Sequence, residues 1–377
     1  MRLPPGWRRS AVAETPMRTF DDLIKPSVRR LQAYTLTPHR VPIKLNQNEN
    51  PFGIPPAIVA ETLRRVAGRD WARYPDFVPT ELQTALARFA GWRADGVVVG
   101  NGSNEIIQAL LTILVAPGTP VVLSEPTFTV YRLMVEVLGG TVVNVPPRAD
   151  FSYDIPAMLE AAHRTRAVAV ILCSPNNPTG VTVDEPALRA FLTDFDGFVV
   201  VDEAYHEFCQ QNFVPLLSGF PRLVVLRTFS KAMAMAGLRI GYGLMAPELA
   251  TELGKAKLPY NVNFFSLAAA QVAVEMYADE LRPLVERIIH ERARVSAAMA
   301  SFDRFRLLPS QANFHLLHTP HVPPRHLFEA LLGRGVLIRD VSRYPLLSEY
   351  VRFNIGTPEE NDALLAALQA VHPEAAT

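Results

Sequence analysis

The chain has 377 residues, of which 49% are hydrophobic, with 37 basic and 37 acidic side chains. That length supports one large core and a second, smaller one, and the zero formal net charge argues against general affinity for nucleic acid or an anionic membrane surface. Two cysteines, Cys173 and Cys209, are too few for a disulfide scaffold and read as reduced thiols of a cytoplasmic protein, and no apolar run approaches the ~20 residues a membrane-spanning helix needs.

In chain order, residues 1–30 read as a tail with little fixed structure. Arg2, Arg8 and Arg9 are not followed by an apolar stretch, so the segment is no secretory signal, and Met17 is an alternative start. A short β-branched run at 97–99 leads into Gly100-Asn101-Gly102-Ser103-Asn104-Glu105, after which 106–114 has apolar residues at helical spacing. Strands are expected at 120–123 and 141–145. Continuous apolar runs at 168–172, 198–201 and 223–226 are apolar on both faces, as strands of a buried parallel sheet must be. Strands alternating with helices indicate α/β architecture. After about residue 265, long amphipathic helices are expected over 267–284 and 285–302. Short strands near 314–317, 336–339 and 351–355 and a last helix over 362–371 follow, as in a smaller α+β domain. The expected division is a tail (1–30), a large domain (46–265) and a small domain (31–45 with 266–377).

Functional residues of open α/β sheets lie beyond the carboxyl ends of the strands. After 168–172 comes Cys173-Ser174-Pro175-Asn176-Asn177-Pro178-Thr179-Gly180, a rigid turn. After 198–201 comes Asp202-Glu203-Ala204-Tyr205. A carboxylate behind four apolar residues is costly unless paired; it is either a helix N-cap or a group facing a cation. After 223–226 comes Arg227-Thr228-Phe229-Ser230-Lys231, with Arg239 inside Gly-Leu-Arg-Ile-Gly, a turn into another strand. Lys231 is one of five lysines and follows a buried strand, where desolvation lowers an amine's pKa and favours nucleophilic chemistry. Ser103 and Asn104 open a helix, a natural anion site.

Together, Ser-Pro-Asn-Asn-Pro-Thr-Gly, Asp-Glu-Ala-Tyr and Ser-Lys with an arginine eight residues beyond the lysine resemble the fold-type-I PLP-dependent aminotransferases. The resemblance runs from about Leu31 to the last helix. It implies a large domain with a mainly parallel seven-stranded sheet between helices, a smaller α+β domain, and pyridoxal-5'-phosphate (PLP) as cofactor; no metal is implied. By resemblance, Lys231 carries the cofactor covalently and then moves protons. Asp202 faces the ring nitrogen, and Asn177 and Tyr205 donate to the ring 3'-oxygen. Ser103, Asn104, Ser230 and Arg239 hold the phosphate. Phe128 stacks on the ring, where the family often has tyrosine.

A finer resemblance is to the histidinol-phosphate aminotransferases. It rests on Asn48-Glu49-Asn50-Pro51-Phe52-Gly53, Arg73-Tyr74-Pro75-Asp76, Leu258-Pro259-Tyr260-Asn261-Val262-Asn263 and Gly335-Val336-Leu337-Ile338-Arg339-Asp340-Val341, then Arg352 and Gly356-Thr357. It implies a homodimer in which Tyr74 reaches the partner's cofactor phosphate. Arg352 matches the arginine that binds the donor carboxylate. Arg339 and Tyr34 match groups near the substrate phosphate, and Asn50 falls in a substrate-binding stretch. The implied reaction exchanges histidinol phosphate and 2-oxoglutarate for imidazole-acetol phosphate and glutamate, a step of histidine biosynthesis. The same motifs fit an aromatic amino-acid aminotransferase or a threonine-phosphate decarboxylase-like enzyme. A non-enzymatic member of the fold is disfavoured, because Lys231, Asp202 and Arg239 are all present.

Overall fold

The computed structural model describes residues 17–33 and 37–371. Its first strand, β1 (Ile43–Lys44), lies ahead of the central sheet. That sheet contains β2 (Val97–Gly100), β3 (Pro120–Leu123), β4 (Thr141–Asn144), β5 (Ala169–Cys173), β6 (Phe198–Asp202), β7 (Leu223–Thr228) and β8 (Gly241–Leu244). Their order is β2-β8-β7-β6-β5-β3-β4. All neighbours are parallel except β8, which runs antiparallel to both β2 and β7.

Side-chain alternation explains why these strands are apolar throughout. Val170, Leu172, Val199, Val201 and Val225 point into one core, packed by helices Pro56–Val66, Thr80–Ala90, Ile155–Thr165, Glu185–Asp194 and Phe264–Glu275. Ala169, Ile171, Val200, Val224 and Leu226 point the other way, into a core shared with helices Ser103–Leu114, Val130–Leu138 and Pro247–Ala256.

The chain then builds β9 (Arg306–Leu307), β10 (Phe314–His318), β11 (Val336–Leu337), β12 (Arg339–Asp340) and β13 (Tyr350–Asn354). An antiparallel sheet has the order β12-β13-β10-β9, while β11 pairs in parallel with β1. Its core joins Val285, Ile288, Phe314, Phe353 and Leu364 to Leu45, and takes in Tyr205 and Ala232 from the segments that follow β6 and β7. The second core therefore grips the carboxyl edge of the central sheet.

The seven-stranded, mainly parallel sheet agrees with the expectation from sequence. Three local expectations need correction. The helix expected over 267–284 is interrupted: Phe264–Glu275 ends, a wide turn spans Tyr277–Leu281, and Arg282–Met299 begins anew. Pro283 sits in the first turn of the new helix, where a missing N–H costs nothing. The strand expected over 336–339 is two strands in different sheets. The described part of the tail holds two helical turns, Phe20–Leu23, closed by a capping box between Thr19 and Asp22, and Pro26–Arg29. Among the described residues, no helix is long and apolar enough to cross a membrane.

Candidate active site

The carboxyl ends of β2, β5, β6 and β7 meet at one edge of the sheet. Register aligns them: Cys173 lies beside Asp202, and Gly241 lies between Gly100 and Thr228. A cavity of about 420 Å³ opens there.

At the base of the cavity is Asp202, the last residue of β6 and only 3% exposed. Its Oδ1 accepts from the Ala204 amide at 3.1 Å and its Oδ2 from the Tyr131 hydroxyl at 2.7 Å. Burial pushes its pKa up to about 6, against the pull of the Tyr131 hydrogen bond. Asp202 thus caps no helix; it faces the cavity. Lys231 also lines the cavity, and its Nζ donates to the Gln47 carbonyl at 2.9 Å. Burial, followed by the charge of Arg352, pulls the amine down to about 8.

One end of the cavity is built for an anion. Helix Ser103–Leu114 begins after Gly102 without a side-chain cap, so its first amides have no side-chain acceptor there. Arg239 lies opposite, donating to Ser230 Oγ at 3.2 Å and to the Ala236 carbonyl at 3.0 Å. Two glycines make this approach possible. A Cβ on Gly241 would lie 2.4 Å from the Ser103 amide nitrogen, and one on Gly102 (φ +75°) 2.9 Å from Arg239 Nη2.

The other end is built by the small sheet. Arg352 donates to Asn177 Oδ1 and, at 2.7 Å, to the Asn46 carbonyl; its guanidinium lies 5.4 Å from the centroid of Phe314. Arg339 lines the cavity from β12 and is the cross-strand partner of Arg352. The segment 46–49 closes the wall. Asn48 Nδ2 donates to the Tyr205 hydroxyl at 3.0 Å, which leaves that hydroxyl's own proton available to a ligand.

Of the residues expected from sequence, Ser103, Asn104, Phe128, Asn177, Asp202, Tyr205, Ser230, Lys231, Arg239, Arg339 and Arg352 all line this one cavity. Asn50 does not. Its amide donates to the Ala232 carbonyl at 3.0 Å and its Oδ1 accepts from the Phe52 amide, so it braces the lysine's segment instead. Tyr74 lies elsewhere, 80% exposed and stacked on Tyr260 with ring centroids 4.5 Å apart. Tyr34 lies outside the described residues. Sequence reasoning passed over Gln47, Asn48, Tyr131 and Tyr344, which also line the cavity. The signal for Tyr131 is its place three residues after Phe128, in the same segment. Among the described residues, no cluster of side chains is suited to hold a metal ion.

The model of the family "Aminotransferase class I and II" matches residues 40–368. The histidinol-phosphate aminotransferase of Chlorobium phaeovibrioides is 38% identical over 355 residues, 93% of this chain and 97% of that protein. That of Desulfitobacterium hafniense is 36% identical over 354 residues, with 93% and 97% covered. Among solved structures, histidinol-phosphate aminotransferase from Sinorhizobium meliloti in complex with pyridoxal-5'-phosphate superposes with a TM-score of 0.84 at 27% identity, over 92% of this chain and 96% of that one. A cavity with a lysine, a buried carboxylate and an anion cradle at the carboxyl edge of such a sheet agrees with these matches, and the chain belongs to the class I and II aminotransferase family.

Proposed function

We propose that this chain is a PLP-dependent aminotransferase acting on histidinol phosphate and 2-oxoglutarate, as a homodimer in the cytoplasm. The same reading takes 46–265 as the cofactor-holding domain and 31–45 with 266–377 as the small domain, with 1–30 as a tail ahead of it. The relatives named above support the substrate. The observation that carries it is the pair Arg339 and Arg352, directly opposite each other on β12 and β13 and both lining the Lys231 cavity. Two guanidiniums side by side on the cavity wall suit anionic substrate groups: a carboxylate matches the planar fork of Arg352 and a phosphate matches Arg339.

The residues fit PLP. Asp202 is a buried carboxylate suited to a cationic ring nitrogen, and the Gly102–Gly241 cradle beside Arg239 suits a phosphate. When bound, PLP supplies an electron sink for the charge left as a Cα bond breaks. Arg239, Ser230 and the amides of Ser103 and Asn104 would hold the phosphate. Phe128 would cover the ring, and Tyr205 and Asn177 would donate toward its oxygen. Lys231 would hold the group covalently, and its amine, free of it, would take the proton from the substrate Cα and hand it on. Its low pKa leaves a useful fraction of free amine near neutral pH.

The test is a donor panel of histidinol phosphate, phenylalanine, tyrosine and threonine phosphate, followed by cofactor absorption with 2-oxoglutarate as acceptor. Preferential turnover of histidinol phosphate is expected. Preference for phenylalanine or tyrosine would make the chain an aromatic aminotransferase, and carbon dioxide release from threonine phosphate a decarboxylase.

A further inference from the structure

A carboxylate as buried as Asp202 needs its lone pairs satisfied and its direction set. The backbone does half of this through the Ala204 amide. The other half falls to Tyr131, whose hydroxyl donates to Asp202 Oδ2 at 2.7 Å while its ring lies wholly buried in the core under the sheet. Packing alone does not call for that hydroxyl, because phenylalanine would fill the same space. Tyr131 stands in the first turn of helix Val130–Leu138, and the Phe128 ring meets it edge-on with centroids 5.5 Å apart. One turn of chain thus presents both an aromatic face to the cavity and a hydroxyl to the carboxylate at its base.

We propose that Tyr131 is a positioning residue: its hydroxyl fixes the Asp202 carboxylate in the orientation that faces the cofactor's ring nitrogen. This rests on the aminotransferase reading above and deepens it. The same bond also protects the charge. Burial favours the neutral acid, and the Tyr131 and Ala204 hydrogen bonds oppose it. Of the other groups around Asp202, Glu203 disfavours the charge and Lys231 favours it. Cys173, Tyr153 and Tyr205 are kept protonated, chiefly by burial. Without the Tyr131 hydroxyl, Oδ2 loses its donor, the acid takes up a proton at higher pH, and its hold on a cationic ring nitrogen weakens.

The experiment compares the full chain with Tyr131→Phe, Asp202→Asn and the double variant, each titrated with PLP. It reads cofactor affinity, the pH midpoint of bound-cofactor absorption, and kcat against KM. Tyr131→Phe is expected to weaken cofactor affinity about tenfold, as loss of one hydrogen bond to a charged group does. Its acid-side spectral midpoint should rise, and kcat should fall more than KM changes. In the Asp202→Asn background the same change should have almost no effect, because the hydroxyl acts through the carboxylate. A Tyr131→Phe protein with the parent's affinity and midpoint overturns the inference, as does an equal loss in the Asp202→Asn background. Val135→Ala, one turn further along the same helix and fully buried, separates loosened packing from the missing hydroxyl. It should lower Tm and leave the midpoint in place; a midpoint shift matching that of Tyr131→Phe would also overturn the inference. Failure of the aminotransferase reading looks different, since the parent chain would then neither bind PLP nor respond spectrally to any amino donor.

Discussion

At the scale of single residues, the site depends on two groups held away from their ordinary ionisation by burial, Lys231 and Asp202. An amine adds to a carbonyl only when unprotonated. Lys231 is lowered from 10.5 to about 8, so it is protonated below that value and free above it. Covalent capture of PLP by the apo chain should therefore rise with pH through a midpoint near 8, and stopped-flow absorbance measures it. A midpoint close to that of an exposed lysine would mean the amine is not desolvated. Lys231→Ala should abolish turnover and the covalent absorption band; turnover surviving with an unaltered spectrum would end the proposal.

At the scale of elements, the phosphate end depends on how closely β8 approaches the start of helix Ser103–Leu114. Gly241→Ala puts a methyl group 2.4 Å from a backbone nitrogen that a flexible side chain's retreat cannot relieve. Overpacking of this kind costs about 1–3 kcal/mol. We expect a lower Tm and at least tenfold weaker PLP binding, roughly what one such displacement costs, measured by absorption titration. The small sheet carries a separate pH liability. His315 on β10 is 2% exposed, near Ser296 Oγ at 3.1 Å and the Leu308 carbonyl at 3.4 Å. Burial lowers its pKa from 6.5 to about 4. Between those values the unfolded chain binds the proton and the folded chain does not. The contribution to stability is therefore complete above about 6.5 and is lost as pH falls toward 4, amounting to about 3 kcal/mol. His315→Gln should flatten that part of the stability curve, as urea unfolding across the range would reveal.

At the scale of the whole molecule, the exposed aromatic surface supports the proposed dimer. Trp71 is 83% exposed and Tyr74 80%, both line one surface recess with Tyr260, on which Tyr74 and Phe77 pack, and Leu258, 70% exposed, lies two residues before Tyr260 in the chain. Large apolar groups gathered on one surface mark a protein contact. Sedimentation should show a dimer that Leu258→Asp weakens, by about tenfold or more for a charge set into an apolar contact. If Tyr74 completes the partner's site, cofactor retention should fall together with the dimer. A parent chain that is monomeric and fully active would remove the dimer from the proposal.

The sequence by itself determined the sheet and named most of the residues that meet at the cavity. Strands apolar on both faces can only be buried between helices, and the turns beyond their carboxyl ends carry Asn177, Asp202, Lys231 and Arg239. Tertiary structure decided the rest, because it depends on contacts between residues far apart in the chain. Asn50 resembles a ligand residue in sequence, yet it is committed to the Ala232 carbonyl 182 positions away. Periodicity could not show that β12 would leave β11 for another sheet and set Arg339 opposite Arg352. Nor could it show that Tyr131, one more apolar-looking position in a helix, would reach Asp202 71 residues further along the chain.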